Sequence, residues 1–373
     1  MNTTDIKKNH TQKVFQVIYD EKIISKANIA QTLGISIPTV TQCVNELKSY
    51  GLIRDDYHYE SNVGRKAAAI MSLPNCRVAI GVEIHKQGIR IVAVNIYGEI
   101  LAEESLTLPY SAENTYYMLL GNAINNFFIS CNFTKDMFLG VGIAVQGIPN
   151  RQGNKMIYGK ILDNLSFNLA KLEPYVHFSC TLRHDTEAMS DYALWNYPDI
   201  QDCCFLHMDI NLGGTLIINR ASHWGSHMPS GIIEHMIIKP GGKLCYCGKC
   251  GCAEAYCSTV SLLDGTNETL ASFFSKLRDG HNEYQEKWSD FLQNLAFLLD
   301  NIQMMFSTEV ILSGRLAAYI TEEDLALLNR FLDNTFYQNV PRPEIILSKY
   351  NDNAVGAAIY YINQFLMHPV NYD

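Results

Sequence analysis

A chain of 373 residues, 47% hydrophobic and 18% charged, is long enough to build two or three globular domains around a sizeable core. It holds no run of about eighteen apolar residues that could cross a bilayer, and its opening stretch MNTTDIKKNHTQKV lacks the apolar segment of a secretion signal, so the expected location is the cytoplasm. The net charge of −9 excludes a protein that binds nucleic acid over its whole surface, yet residues 1–72 sum to +2 and the remainder to −11. A small basic reader attached to an acidic body has this pattern.

The predicted elements begin with a helix from Thr11 to Ile24, where Val14, Val17 and Ile18 recur at helical spacing. Ser25 can cap a second helix over Lys26–Leu33, with Ile29 and Ala30 inward, and Gly34 supplies the turn. Ser36 caps a third helix, Ile37 to Tyr50. Its stripe of Val40, Val44 and Leu47 is predicted to be buried, leaving Thr39, Thr41, Gln42, Asn45 and Lys48 outward. Small hydroxyls, amides and one ammonium in a row can meet base edges and phosphates in a major groove; the same row would also suit the solvated face of a plain helical bundle. After Gly51, a strand from Leu52, the polar turn DDYHYESNVGRK and the returning strand AAAIMSL predict a β-wing, with Arg65 and Lys66 placed to reach phosphates or a minor groove. In order and lengths, residues 1–73 resemble a winged helix-turn-helix DNA-binding domain, closed by Pro74 and Asn75.

Beyond that point the texture changes to α/β. RVAIGVEI, GIRIVAVNIYG and EILAEESLTL predict three antiparallel strands, followed by a helix from about Ala112 to Cys131, the buried strand FLGVGIAVQG, and the strand TLRHD leading into the helix TEAMSDYALW. The pattern then returns: CCFLHMDI and TLIIN as a strand pair, a long helix from Ser289 to Met305, the strands EVILSG and EIILSK, and the closing helix NAVGAAIYYINQFL. Three strands, helix and strand, given twice, predict a duplicated, two-lobed ribonuclease-H-like (actin-like ATPase) body.

Inside the second half lies the densest chemistry. His235 is followed by Cys245, Cys247 and Cys252 in GIIEHMIIKPGGKLCYCGKCGCAEAYCS. One imidazole and three thiolates suit tetrahedral Zn²⁺, and four protein ligands leave no open position, which predicts a structural ion. Gly241, Gly242, Gly248 and Gly251 would let the backbone curl around it. Cys250 is a fifth candidate that could stand in for Cys247 or Cys252. The other cysteines, Cys43, Cys76, Cys131, Cys180, Cys203, Cys204 and Cys257, read as small hydrophobes of a reducing compartment.

The whole chain resembles the ROK family (repressors, open reading frames and sugar kinases), and within it the branch of transcription factors with an N-terminal winged helix. The most specific match is CYCGKCGCAE from Cys245 to Glu254, together with His235 where the family places its metal-binding histidine. The resemblance implies an N-terminal lobe over 74–190, completed by the C-terminal helix at about 355–373, and a C-terminal lobe over 191–354 carrying the zinc loop 235–254. It implies a palindromic operator, a homodimer or homotetramer, and a sugar or sugar-derivative effector bound by His184, Asp185, His235 and Glu254, with Ile232 where the family has a glutamate. Asp185 matches the aspartate that acts as general base in the family's kinases. Locally, Asp185 would equally serve as a cap of the following helix, and Glu254 as a carboxylate near a helix start.

Departures from the kinase pattern point away from catalysis. The family's D-x-G-G-T turn is replaced by Glu83, Ile84, His85, Lys86 and Gln87; the second glycine-rich stretch is thinned to NLGGT from Asn211 to Thr215; and the adenosine-side segment reads SGRL from Ser313. Without glycines the backbone amides cannot close on phosphate oxygens, and phosphoryl transfer depends on that positioning. The expectation is a non-catalytic, sugar-responsive regulator with no catalytic residue, most simply a repressor. Its rivals are an ATP-dependent sugar kinase with a DNA-binding head and a regulator governed by a protein partner.

Overall fold

The computed structural model of the protein describes residues 3–58, 68–228, 230–333, 342 and 344–370. The chain forms two compact units. One comprises Met1–Ala144, Leu169–Leu182 and Ala357–Asp373, the other Val145–Asn168 and Arg183–Gly356.

The first unit begins with α1 (Thr3–Glu21), β1 (Ile23–Ser25), α2 (Lys26–Leu33), α3 (Ile37–Ser49), β2 (Ile53–His58) and β3 (Ala68–Ser72). The first helix differs from its sequence reading: it starts earlier and stops at Glu21, because Lys22 takes a left-handed conformation (φ 60°). Ile23 and Ile24 then pair with Met71 and Ile70 in a strand instead of extending the helix, which buries Ile24 against the wing. The capping predictions hold. Ser25 Oγ accepts from the Asn28 N–H and Ser36 Oγ from the Thr39 N–H, each at 3.2 Å, and Gly34 closes α2 with φ 64°. Val40, Cys43, Val44 and Leu47 form the buried face of α3. The three strands run in the order β1-β3-β2.

This head is packed, not tethered. Tyr19 of α1 stacks on Tyr97 with ring centroids 4.7 Å apart, donates to the Ile96 carbonyl at 2.9 Å, and receives the Tyr97 hydroxyl on its own carbonyl at 3.1 Å. Phe15 meets Phe365 edge-on at 5.9 Å. Aromatic pairs of this kind contribute about 0.5–1.5 kcal/mol each beyond their burial.

The body of the first unit continues with β4 (Val78–His85), β5 (Gly88–Asn95), β6 (Ile100–Leu106), α4 (Asn114–Ser130) and β7 (Phe138–Val145). Short strands β8 (Ile148–Pro149) and β9 (Met156–Tyr158) of the second unit precede β10 (Cys180–His184), and α5 (Asp185–Asn196) again belongs to the second unit. The meander β4-β5-β6 is antiparallel as read from the sequence, in a sheet ordered β10-β7-β4-β5-β6.

The second unit supplies β11 (Cys203–Met208), β12 (Leu212–Ile218), β13 (Ala221–Ser222), the short helices α6 (Glu254–Cys257) and α7 (Thr259–Leu263), α8 (Leu270–Arg278), α9 (Asn282–Met305), β14 (Glu309–Ser313), α10 (Glu322–Asp333) and β15 (Ile345–Leu347), and the chain ends in α11 (Asn353–Met367), which belongs to the first unit from Ala357 onward. Its sheet is ordered β13-β12-β11-β14-β15. Counted by appearance, both sheets read third, second, first, fourth, fifth, which is the duplication expected from the sequence.

Alternation along β11 explains its apolar run. Cys204, Leu206 and Met208 join the core built on Trp288, Phe291, Leu292 and Leu295 of α9, while Cys203 and Phe205 pack with Met189, Ala193 and Leu194 of α5. Both faces of the strand are covered, so no polar alternation is seen. Helix α9 begins at Asn282, seven residues before the sequence reading placed it. Its first turns carry Glu283, Gln285, Glu286 and Lys287, whose polarity hides the periodicity. In the first unit, β7 is equally apolar, and a Cβ on Gly142 would lie 1.9 Å from the Ala357 carbonyl oxygen; glycine there lets α11 lie directly on the strand.

Candidate metal centre and ligand site

On α3, Gln42, Asn45 and Lys48 are exposed and Thr39 and Thr41 half-buried. The Thr39 hydroxyl is engaged with Ser36 Oγ at 2.8 Å, and Lys48 Nζ holds Asp55 of β2 at 2.5 Å. That hydrogen bond keeps the Asp55 carboxyl below its ordinary value despite its partial burial. Gln42 and Asn45 are therefore the exposed amides of the helix face, with Lys48 tied to the wing strand. Arg65 and Lys66 lie outside the described residues.

The structure brings His235, Cys245, Cys247 and Cys252 together, all four ligand atoms lying within 4.8 Å of one another. His235 Nδ1 is 3.6 Å from Cys245 Sγ, and Cys247 Sγ is 3.7 Å from Cys252 Sγ. Tetrahedral zinc with Zn–S bonds of about 2.3 Å separates neighbouring sulfurs by about 3.8 Å, so the donor set fits that ion. Cys250 is exposed and outside the cluster. The backbone forms the cradle: Cys245 N–H donates to the Lys249 carbonyl at 2.8 Å, Gly248 N–H to Cys245 at 2.9 Å, and Gly251 N–H to Lys243 at 2.8 Å. Gly251 sits at φ 86°, and a Cβ there would stand 1.9 Å from the Lys239 carbonyl oxygen, so only glycine closes the loop. Burial pushes the Cys245 thiol up to about 12. Cys247 is held below its ordinary value, burial being outweighed by the Lys249 N–H and by the Cys245 and Cys252 thiols.

Three consecutive residues of β12 collect the other predicted ligand contacts. The Leu212 N–H donates to Glu254 at 2.6 Å, and the Asn211 side-chain amide donates to the same carboxylate at 2.7 Å. A Cβ on Gly213 would meet Thr186 Oγ1 at 2.5 Å, and one on Gly214 would meet the Gly231 carbonyl oxygen at 2.4 Å and Ile233 Cβ at 3.0 Å. The NLGGT stretch thus works as a docking rail. It seats the start of α5 with His184 and Asp185, the short turn Ile233–His235, and the start of α6 with Glu254. His184 Nε2 lies 3.1 Å from Asp185, whose carboxylate accepts from the Thr186 N–H at 2.9 Å. Burial lifts Glu254 to about 7 against the pull of its Asn211 and Leu212 hydrogen bonds.

Sequence reasoning passed over Glu234. Its side chain is buried, with only 7% exposed. It lies close enough to Glu254 and Asp185 that both charges act on it, and burial first, then these neighbours, push its carboxyl up to about 8. Its Oε2 has no hydrogen-bond partner among the described residues, and the same holds for His235 Nε2 and the Tyr158 hydroxyl. The signal was present: a charged residue next to His235 in an otherwise apolar IIEHMII run. Ile232 merely precedes that turn.

Comparison with known proteins agrees with this architecture. The ROK family model matches residues 79–363. The chain belongs to the ROK family. A model for winged helix-turn-helix DNA-binding segments matches residues 9–54. Among curated relatives of this ROK protein, a xylose repressor of Caldicellulosiruptor bescii is 22% identical, the alignment covering 99% of both chains. The crystal structure of a ROK family transcriptional regulator, a homolog of the E. coli MLC protein, superposes with a TM-score of 0.79 over 98% of each chain at 16% identity. A ROK hexokinase from Thermus thermophilus superposes with a TM-score of 0.64 over 76% of this chain and 97% of its own, also at 16% identity. Regulator and kinase alike thus share the fold of the body.

Proposed function

We propose that this ROK protein is a sugar-responsive transcriptional repressor of the cytoplasm: its winged helix reads a palindromic operator and its body senses a sugar or sugar derivative without phosphorylating it. The observation that carries this reading is the aromatic seam between Tyr19, Tyr97, Phe15 and Phe365, which fixes a DNA-reading head to a ROK body so that the two respond together. The full-length similarity to a chain named xylose repressor supports both the sugar and the sign of regulation. A homodimer or homotetramer follows from the small number of bases one recognition helix can read.

Within the body, His184, Asp185, His235 and Glu254 are the assigned sugar contacts, and Zn²⁺ the ion of His235, Cys245, Cys247 and Cys252. When bound, the ion supplies no chemistry to a reaction; with four protein ligands it holds the 235–254 loop in shape. Against kinase activity stands the β4–β5 connection, where His85 pairs with Gly88 and only Lys86 and Gln87 remain between the strands, too short a turn to wrap a phosphate. Asp209 stands at the corresponding β11–β12 turn, bound to Arg315 at 2.6 Å, and a second anion there would face its carboxylate. Effector binding would release DNA only to the extent that the sugar prefers the DNA-free arrangement.

The test is selection of DNA by the full chain from a random pool, followed by titration of the complex with free sugars. The expected result is a two-fold symmetric site released by one sugar class, with no ADP formed from ATP and Mg²⁺ in its presence. ADP release that Asp185→Asn abolishes would overturn the reading.

A further inference from the structure

We infer that Glu234 is a specificity-determining contact of the effector site, its Oε2 accepting a hydrogen bond from a hydroxyl of a neutral, polyhydroxylated ligand, an inference that rests on the sugar-sensing reading of the body. A carboxyl group with 7% exposure and one oxygen without a partner among the described residues is costly to keep unless something completes its hydrogen bonding. Position sharpens the argument. The close approach of Gly214 to Ile233 holds the turn that carries Glu234 against β12. The Glu234 carboxyl group as a whole lies within electrostatic reach of Asp185, Glu254 and Tyr158.

Two further buried polar atoms are unsatisfied around it. His235 turns Nδ1 toward Cys245, leaving Nε2 free, and the Tyr158 hydroxyl has no partner among the described residues. Tyr158 lies two residues before Lys160, whose Nζ donates to the Cys247 carbonyl at 3.3 Å, so its segment is anchored to the metal loop. An acceptor, an imidazole nitrogen and a phenol around the same turn form the complement of adjacent sugar hydroxyls, each of which both donates and accepts.

The experiment is isothermal titration of the full-length, zinc-loaded protein with D-xylose, D-glucose and N-acetyl-D-glucosamine, using wild type, Glu234→Gln and Glu234→Ala, with metal content and melting temperature checked for each. The expected result is a sugar that binds wild type and binds E234A roughly tenfold or more weakly, the glutamine variant falling between. Deoxy analogues of that sugar provide the readout a purely structural role would not move. One of them should lose affinity for wild type while binding E234A no worse than the parent sugar does. Equal sugar affinity in wild type and E234A would overturn this inference alone, whereas wild type that binds none of the three sugars would overturn the effector reading and this inference with it.

Discussion

The two five-stranded sheets share one strand order and diverge at their first hairpins. In the first, β4 and β5 are joined by Lys86 and Gln87 alone, and the side-chain amide of Asn95 at the end of β5 donates to Asn75 and Glu99. In the second, Asn211 just before β12 and Leu212 at its start are held by Glu254, and the strand then gives up two side chains at Gly213 and Gly214 so that α5 and the Ile233–His235 turn can approach. Topology is duplicated; chemistry is not. What differs is a handful of residues at strand starts and turns, which is where binding function is grafted onto a fold.

The largest expected effect comes from the metal loop, which has no counterpart among the described residues of the first sheet. Cys247→Ser, or chelation of the wild type, should abolish stoichiometric zinc binding and destabilise the second unit by more than about 4 kcal/mol, the scale typical of a lost metal site. Hydrogen exchange would then show protection lost from residues 235–257 and retained across β4–β6. Uniform loss over both sheets, or unchanged protection, would remove the asymmetry.

Next in size is Glu254→Ala. It strands the buried Leu212 N–H and the Asn211 amide, an expected cost of about 1–3 kcal/mol by denaturant titration. Glu254→Gln should recover part of this, since an amide oxygen can still accept one of the two bonds.

Much of this was legible beforehand, and the reasons are local. Ser25, Gly34 and Ser36 mark helix ends because capping depends on one residue and its neighbours, and the Cys-rich loop is visible because its ligands fall within eighteen residues of one another. The end of α1 was misjudged because the fate of Ile23 and Ile24 depends on pairing with residues 70 and 71, a contact that helical periodicity does not encode. Gly213 and Gly214 were read as the remains of a phosphate turn, whereas their packing against Thr186 and Ile233 arises from segments distant in sequence. Glu234 went unnoticed for the same reason: its meaning lies in Asp185 and Glu254, brought near only by the fold.

A third prediction concerns acid. Asp324 accepts from Arg278, Trp288 and the Thr321 N–H at the start of α10. Burial raises its carboxyl, but these bonds together hold it below the ordinary 3.8. A depressed folded value means that the group adds stability above its unfolded value, and that this contribution is lost as pH falls through the folded value. Asp324→Asn should therefore cost about 1–3 kcal/mol at neutral pH and flatten the acid limb of the stability curve below pH 4. An unchanged acid limb in the variant would show that other carboxylates govern it.

The smallest effect should come from Arg315, which bridges to Asp209 across the β11–β12 turn. Its side chain is 60% exposed, so solvent screening limits the pair to about 1 kcal/mol or less, and added salt should weaken it further. Arg315→Ala is thus expected to shift the melting temperature by no more than a few degrees and to leave zinc content unchanged. The variant also separates the two roles a turn at this position can have. If Arg315 neutralises Asp209 only to hold the turn, removing it changes stability slightly and nucleotide binding not at all. If instead it reserves the turn for an anion, isothermal titration with ATP and Mg²⁺ would detect binding to wild type that Arg315→Ala loses. The second hairpin would then hold an anion that the two-residue β4–β5 turn is too short to wrap, and the contrast between the sheets would widen.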